Sequence, residues 1–384
     1  MTSDAGGASP PMTPPTDQPG AEPRNWSGRV ATFLFLAALL TPPLFYGDDE
    51  LRCEQFTKFA ALGILALSID LIWGYTGLLS LGHGLYFGLG AYAVGYSLKL
   101  QRAALNAGLP FTSSPDMALP DFMEYSRLEA VPEWIRPFID IYFAIGVAIL
   151  LPAIVAALFG FVTFRLRIKG VYFSLITQAL ILAMYLMVIR NQPQTGGEVG
   201  MTYLNRLTLF GYQFPNSYQL YYLVAPILIL CFLGCAWLMA SKFGQILTAI
   251  RDNENRVMAL GYDPAVYKTI IFSLSGALAG LAGALYVAGN RSIGPDVLRV
   301  DFSIIAVVWV AVGGRGTLSG AIICVYLVGF TGTMINEEYP TLWKVLQGAM
   351  FIGVVLFLPE GIVGLIRKTY AFLFSRFGKP QPLG

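Results

Sequence analysis

The sequence predicts an all-α, polytopic membrane bundle of about ten spans, and three observations carry that prediction. Of 384 residues, 55% are hydrophobic and only 12% charged, whereas a soluble domain carries about 25% charged residues. Mean hydropathy is +0.61. Apolar runs long enough to cross a bilayer recur along the chain, and the loops between them sort by sign of charge. The net charge of +2 offers no basic face of the kind nucleic acid requires, so no nucleic-acid partner is expected.

Taken in order, residues 1–29 are rich in Pro, Gly, Ser and Thr, with six prolines from Pro10 to Pro23. That composition predicts a disordered cytoplasmic tail. It does not read as a signal peptide, because the apolar run that follows ends in "TPPLFYGDDE" with no small-residue cleavage pattern. A membrane domain follows over 30–366, with apolar segments near 30–46, 56–73, 78–98, 139–164, 170–189, 219–240, 267–288, 302–313, 318–334 and 342–366. The segment 302–313 is too short to cross and reads as a half-helix or re-entrant piece; 302–334 is either two crossings or a re-entrant hairpin. Residues 367–384 form a C-terminal tail.

With the N-terminus inside, alternation leaves Arg165, Arg167 and Lys169 on the cytoplasmic side. Lys242, Arg251 and Arg256 of segment 241–266 lie there too, with Arg367, Lys368, Arg376 and Lys379 of the tail. The opposite side receives Asp48, Asp49, Glu50 and Glu54, and a loop near 99–138 with five acids. Parity and the positive-inside rule therefore agree on both termini in the cytoplasm.

The stretch "DLIWGYTGLLSLGHG", Asp70 to Gly84, places a carboxylate, the single histidine and four glycines in a very apolar region. An aspartate at mid-helix costs about 2.5–3.5 kcal/mol on insertion scales. Asp70 either lines a pathway or caps the turn at Gly74; both readings stand. One histidine and four scattered cysteines supply neither a catalytic triad nor a metal cluster, so no metal site is expected. The glycines predict a broken, tightly packed element carrying a few polar groups. "GYTGLLS" (74–80) and "GGRGTLS" (313–319) share the pattern G-x-x-G-x-L-S, which is either chance or an internal repeat of the kind that brackets a central pathway.

The charged run "KFGQILTAIRDNENRVMALGYDPAVYKTIIFSLSG" begins as an amphipathic helix and re-enters the membrane after Gly261 and Asp263-Pro264. It is either a solvated connection or a docking helix. "AIRDNENRVMALGY" followed by "YKTIIFSLSGALAGLAGALY" resembles the coupling segment of ATP-binding-cassette importer permeases of the branched-chain amino acid and urea branch. Gly261 and Ile271 match that motif's spacing, while Asn255-Arg256-Val257 replaces its Glu-Ala-Ala and the later Leu-Pro is missing. "AVVWVAVGGRGTLSGAIIC" and "LFLPEGIVGLI" are similar to the same branch. "DLIWGYTGLLSLGHGLYFGLGAYAVGYSL" and the insertion "MALPDFMEYSRLEAVPEWIRPF" resemble its urea-type member. The likeness covers nearly all of 50–366; the loop "GGEVGMT" and the proline-rich tail depart from it.

The resemblance implies a permease subunit of the bacterial inner membrane, working with a second related permease, two cytoplasmic ATPase subunits and an extracytoplasmic solute-binding protein. No cofactor is expected on this chain, and ATP would sit on the partners. The sequence agrees, since the one lysine preceded by glycine, Lys379, is followed by proline and so completes no phosphate-binding loop. Docking on the ATPases is expected at Arg251, Asp252, Asn253, Glu254 and Arg256, with Gly261 turning the chain back. A passage for a small neutral solute needs sparse polar groups, and Asp70, Ser80, His83, Tyr86, Thr177 and Gln178 are the candidates. Urea is the cargo the likeness implies, with a branched-chain amino acid or short amide as the alternative. A passive urea channel would need the same broken helices but no charged docking segment.

Overall fold

The computed structural model describes residues 34–353 apart from 47–48, 114–116, 169, 340, 342–344 and 350–351. The tails expected at 1–29 and 367–384, and most of the last expected span, lie outside these. The chain divides into two compact units, Met1–Thr41 and Pro42–Gly384. In the first, residues 34–38 are helical.

The second unit carries a helical bundle of α1 (Glu50–Thr76), α2 (His83–Ala107), α3 (Ile141–Arg165), α4 (Val171–Arg190) and α5 (Ser217–Ala240). There follow α6 (Lys242–Ala259), α7 (Pro264–Asn290), α8 (Val300–Gly313) and α9 (Leu318–Glu338). Sheet among the described residues is a single two-stranded hairpin of 208–209 with 212–213. The helix ends follow from the residues that stand there. Asp49 accepts from Arg52 N at 3.1 Å to start α1, and Gly77, at φ 74°, stops it in the left-handed conformation. Asp263 accepts from Ala265 N at 3.0 Å, and Pro264 fills the first position of α7.

Six described helices are long and apolar enough to cross a bilayer alone: α1, α3, α4, α5, α7 and α9. Burial sorts them. The most apolar window of α1 is 83% buried and that of α7 61%, against 22% for α3 and 28% for α4 and α5. The centre is therefore α1 and α7 with α2, and the near-uniformly apolar α3, α4 and α5 turn outward, as a helix bathed in hydrocarbon can. α2 and α7 cross where Gly90 meets Gly280; a side chain at Gly90 would collide with the Gly280 backbone, so the two helices approach at backbone distance.

Two elements start inside the bundle. α2 begins at His83, whose Nε2 lies 2.7 Å from Ser275 Oγ, midway along α7. α8 begins close by, since Ser303 Oγ accepts from Gly84 N at 3.0 Å. Its 14 residues reach only about 21 Å at 1.5 Å each, which makes it the half-helix expected at 302–313. The chain entering α2 over 77–82 is thus a re-entrant, non-helical stretch that starts at an exposed Gly77 and is covered by protein at Leu78, Ser80 and Gly82, with Leu79 and Leu81 half-buried; such backbone is tolerated at membrane depth only under protein cover. The expected 78–98 span is displaced for the same reason: the helix starts five residues later and runs on to Ala107.

The helix ends sort into two sets. One end gathers 74–77, 163–168, 241–263 and 314–317, joined by Arg251 to Gly74 O (2.8 Å) and Arg165 to Asp263 (3.7 Å). The other gathers the starts of α1 and α5, the end of α2 and the 201–206 and 291–293 loops, joined by Arg206 to Glu50 (3.8 Å), Asn205 N to Leu98 O (3.2 Å) and the Met201–Ile293 bridge.

Candidate functional site

The break between α1 and α2 is stitched from two sides, by α4 and α8, and by its own Ser80. From α4, Ser174 Oγ donates to Leu79 O at 2.6 Å and Thr177 Oγ1 accepts from Leu81 N at 3.1 Å. Ser80 Oγ accepts from Gly82 N at 3.4 Å, and from α8 Ser303 receives Gly84 N. Each removes an otherwise orphaned backbone group from apolar surroundings, where an unmade hydrogen bond costs about 1–3 kcal/mol.

At the centre, Ser275 Oγ donates to Ser68 O at 2.6 Å, so its proton is committed and the imidazole must supply the other: His83 Nε2–H donates to Ser275 Oγ. His83 is thereby fixed as one tautomer bridging α2, α7 and α1. Tyr86, one turn on, packs edge-on against His83 (5.9 Å between centroids) and Phe272 (5.6 Å). Phe272 in turn meets Phe173 at 5.6 Å and Phe164 at 5.9 Å. Aromatic rings therefore close the bundle beside the histidine. The Tyr86 hydroxyl is buried and makes no hydrogen bond among the described residues.

Toward the α6 end, Asp70 Oδ1 accepts from Gly316 N at 2.7 Å, and its Oδ2 is buried without a hydrogen bond among the described residues. Gly74 lies directly on Gly316: a Cβ there would sit 2.6 Å from Gly316 N and 2.5 Å from Asp70 Oδ1. The Arg315 guanidinium stacks over Trp73 at 5.4 Å. The two G-x-x-G-x-L-S stretches thus touch. Their second glycines also share a left-handed backbone, φ 74° at Gly77, which caps α1, and 78° at Gly316, in the turn between α8 and α9.

The charged helix α6 buries Gly244, Leu247, Ile250 and Val257 on one face. Its charges divide. Arg251 reaches inward to Gly74 O, and Glu254 pairs with Lys268 of α7 at 2.8 Å, both side chains being largely buried. Asn253 interrupts the helix with an extended backbone and accepts from Arg256 N at 3.1 Å. Asp252, Asn255 and Arg256 face outward, and Gly261 makes the turn toward α7 at φ 88°.

Of the residues singled out from sequence, Asp70, Ser80, His83, Tyr86 and Thr177 are buried around the two breaks, and Gln178 is half-buried on α4. Thr177 and Ser80 spend their hydroxyls on holding the break. Ser68, Ser275, Ser303 and Lys268 were missed. Only the small-residue run "SLSG" at 273–276 hinted that α7 approaches another helix closely.

The family described as "Branched-chain amino acid transport system / permease component" matches residues 53–355. The chain belongs to this permease family. It is 24% identical over 331 residues to the high-affinity branched-chain amino acid transport system permease protein LivM of Salmonella typhimurium LT2, covering 79% of this chain and 68% of that protein. It is 26% identical over 327 residues to the probable branched-chain amino acid transport permease protein LivM of Methanocaldococcus jannaschii, covering 79% and 91%. A shorter match, 27% over 158 residues, reaches the autoinducer 2 import system permease protein LsrC of Salmonella paratyphi B, covering 38% of this chain and 45% of that one. No solved structure matches it significantly. Relatives of this permease are transport components, and its apolar helices fit a multi-pass membrane protein.

Proposed function

We propose that this permease is one subunit of an ATP-driven importer that takes urea from an extracytoplasmic binding protein. It works beside a second permease in the bacterial inner membrane, with both termini in the cytoplasm. ATP is bound and hydrolysed by two partner subunits docked at α6, and this chain binds no cofactor. The observation that carries the reading is α6 itself: an amphipathic helix fastened to the bundle by Arg251 and Glu254 while Asp252, Asn255 and Arg256 remain outward. A passive channel has no use for that segment.

The likeness of Asp70–Leu98 and of the 117–138 insertion to the urea-type member supports urea. The chemistry of the break agrees. The Tyr86 hydroxyl, His83 Nδ1 and Asp70 Oδ2, buried there without a hydrogen bond among the described residues, suit a small neutral amide with donors and acceptors on both sides. They offer a zwitterion no paired countercharges. The second reading, a branched-chain amino acid, is favoured by the names of the permease's relatives.

The test is uptake of labelled urea by proteoliposomes holding this subunit with its co-purifying partners, with and without trapped ATP and the binding protein. Uptake needing both, and not competed by leucine, is the expected result. Equilibration without ATP would make it a channel. ATP-driven uptake of leucine in place of urea would keep the importer and overturn the cargo.

A further inference from the structure

Resting on the importer reading, we propose that α6 is a two-armed lever hinged at Asn253, each arm gripping a different part of the bundle. Asn253 lies outside helical geometry, at φ −157° and ψ 93°, within an otherwise continuous helical run. Its side-chain oxygen accepts from Arg256 N, so it caps the second arm as it ends the first.

The first arm, 242–252, grips the double break. Arg251 donates to Gly74 O at 2.8 Å and lays its stem against Gly77, where a Cβ would stand 3.2 Å from Arg251 Cγ. Gly74 in turn lies on Gly316, which Asp70 holds. Whatever moves Arg251 therefore moves the end of α1 and the α8–α9 turn together. The second arm, 254–259, grips α7 through Glu254 and Lys268 at 2.8 Å. The outward groups Asp252, Asn255 and Arg256 straddle the hinge.

Bending at Asn253 displaces α1 relative to α7. At the level of the break, α1 and α7 are joined by Ser68 O accepting from Ser275, which carries His83. The lever thus bears on the His83–Ser275–Ser68 hydrogen bonds that tie α2, α7 and α1 beside the aromatic closure, and Arg251, Asn253, Glu254 and Lys268 are positioning residues for opening them.

The test uses the reconstituted importer and reads solute moved per ATP hydrolysed, with partner co-purification as the measure of assembly. Arg251→Gln and Asn253→Ala are expected to assemble normally and to lower that ratio by about five-fold or more, the lower bound of typical site-to-site coupling. Arg251→Lys, which keeps the long stem and a charged donor that glutamine lacks, and Asn253→Asp, which still caps, should restore most of it. An unchanged ratio in both damaging variants overturns the lever. So does loss of ATPase co-purification with Arg251→Gln, which would make Arg251 a docking contact. Solute movement by the wild type without ATP sinks the importer reading itself, an outcome separate from either.

Discussion

Replacing Gly74 by alanine isolates the contact between the two breaks. The added methyl carbon would lie 2.5 Å from Asp70 Oδ1, 2.6 Å from Gly316 N and 2.7 Å from Gly316 Cα. Two of those atoms are backbone and the third holds that backbone by a hydrogen bond, so no flexible side-chain tip can yield. Overpacking of this kind costs about 1–3 kcal/mol. Letting Asp70 swing away to make room abandons the Gly316 amide at about 1–3 kcal/mol. These are alternative relaxations of one clash, so the expected loss is the cheaper of the two and not their sum. At about 2 °C per kcal/mol for a large domain, the detergent-solubilised protein should melt about 2–6 °C lower. Gly146→Ala is the matched control: a Cβ there meets nothing within 4 Å, and alanine in a helix interior is favoured over glycine by about 0.5–1 kcal/mol. The two substitutions are chemically identical and should move the melting temperature in opposite directions. Equal effects would refute the close packing of Gly74 on Gly316.

Thr177→Val keeps the shape but removes the acceptor of Leu81 N, and should cost about 1–3 kcal/mol in thermal stability; Thr177→Ser should recover it, and a harmless valine would mean that the break is not held from α4. Glu337→Gln should be nearly silent, because its 3.8 Å pair with Arg52 is half-exposed and such pairs contribute about 0–1 kcal/mol. A loss well beyond that in the same melting assay would show that the link between α9 and the start of α1 matters more than its exposure allows.

The helical class and most span positions were legible because hydropathy is a local property, written wherever a helix meets lipid. The short run at 302–313 was legible too, since length alone forbids it a full crossing. The start of α2 was not. It is fixed by Ser303, 219 residues away from Gly84 in sequence, and nothing near residue 78 announces that partner. The echo of "GYTGLLS" in "GGRGTLS" was readable as a pattern, yet the mutual contact of the two stretches depends on how α1 and α8 converge. Charge misled in one respect. Arg251 and Glu254 sit in a run that reads as a solvated connection or a docking helix, either of which turns its charges outward, whereas their partners Gly74 and Lys268 lie on other helices of the bundle.

The placement of α2 bears on how the chain is made. α2 is 25 residues long, but it is too polar to be counted with the helices able to cross a bilayer alone, and its first residues exist as helix only against α7, α8 and α4. While the ribosome is still short of Pro264, Ser275 and Ser303 do not yet exist, so lipid offers His83 and the Gly84 amide no partner, and leaving them bare there is expensive. The first part of the bundle must therefore wait, shielded by translocon, chaperone or water, for helices encoded some 200 residues later. Truncation after α5 should yield a chain that is degraded rather than a smaller stable bundle, so that the architecture which protects the break also makes synthesis all-or-none.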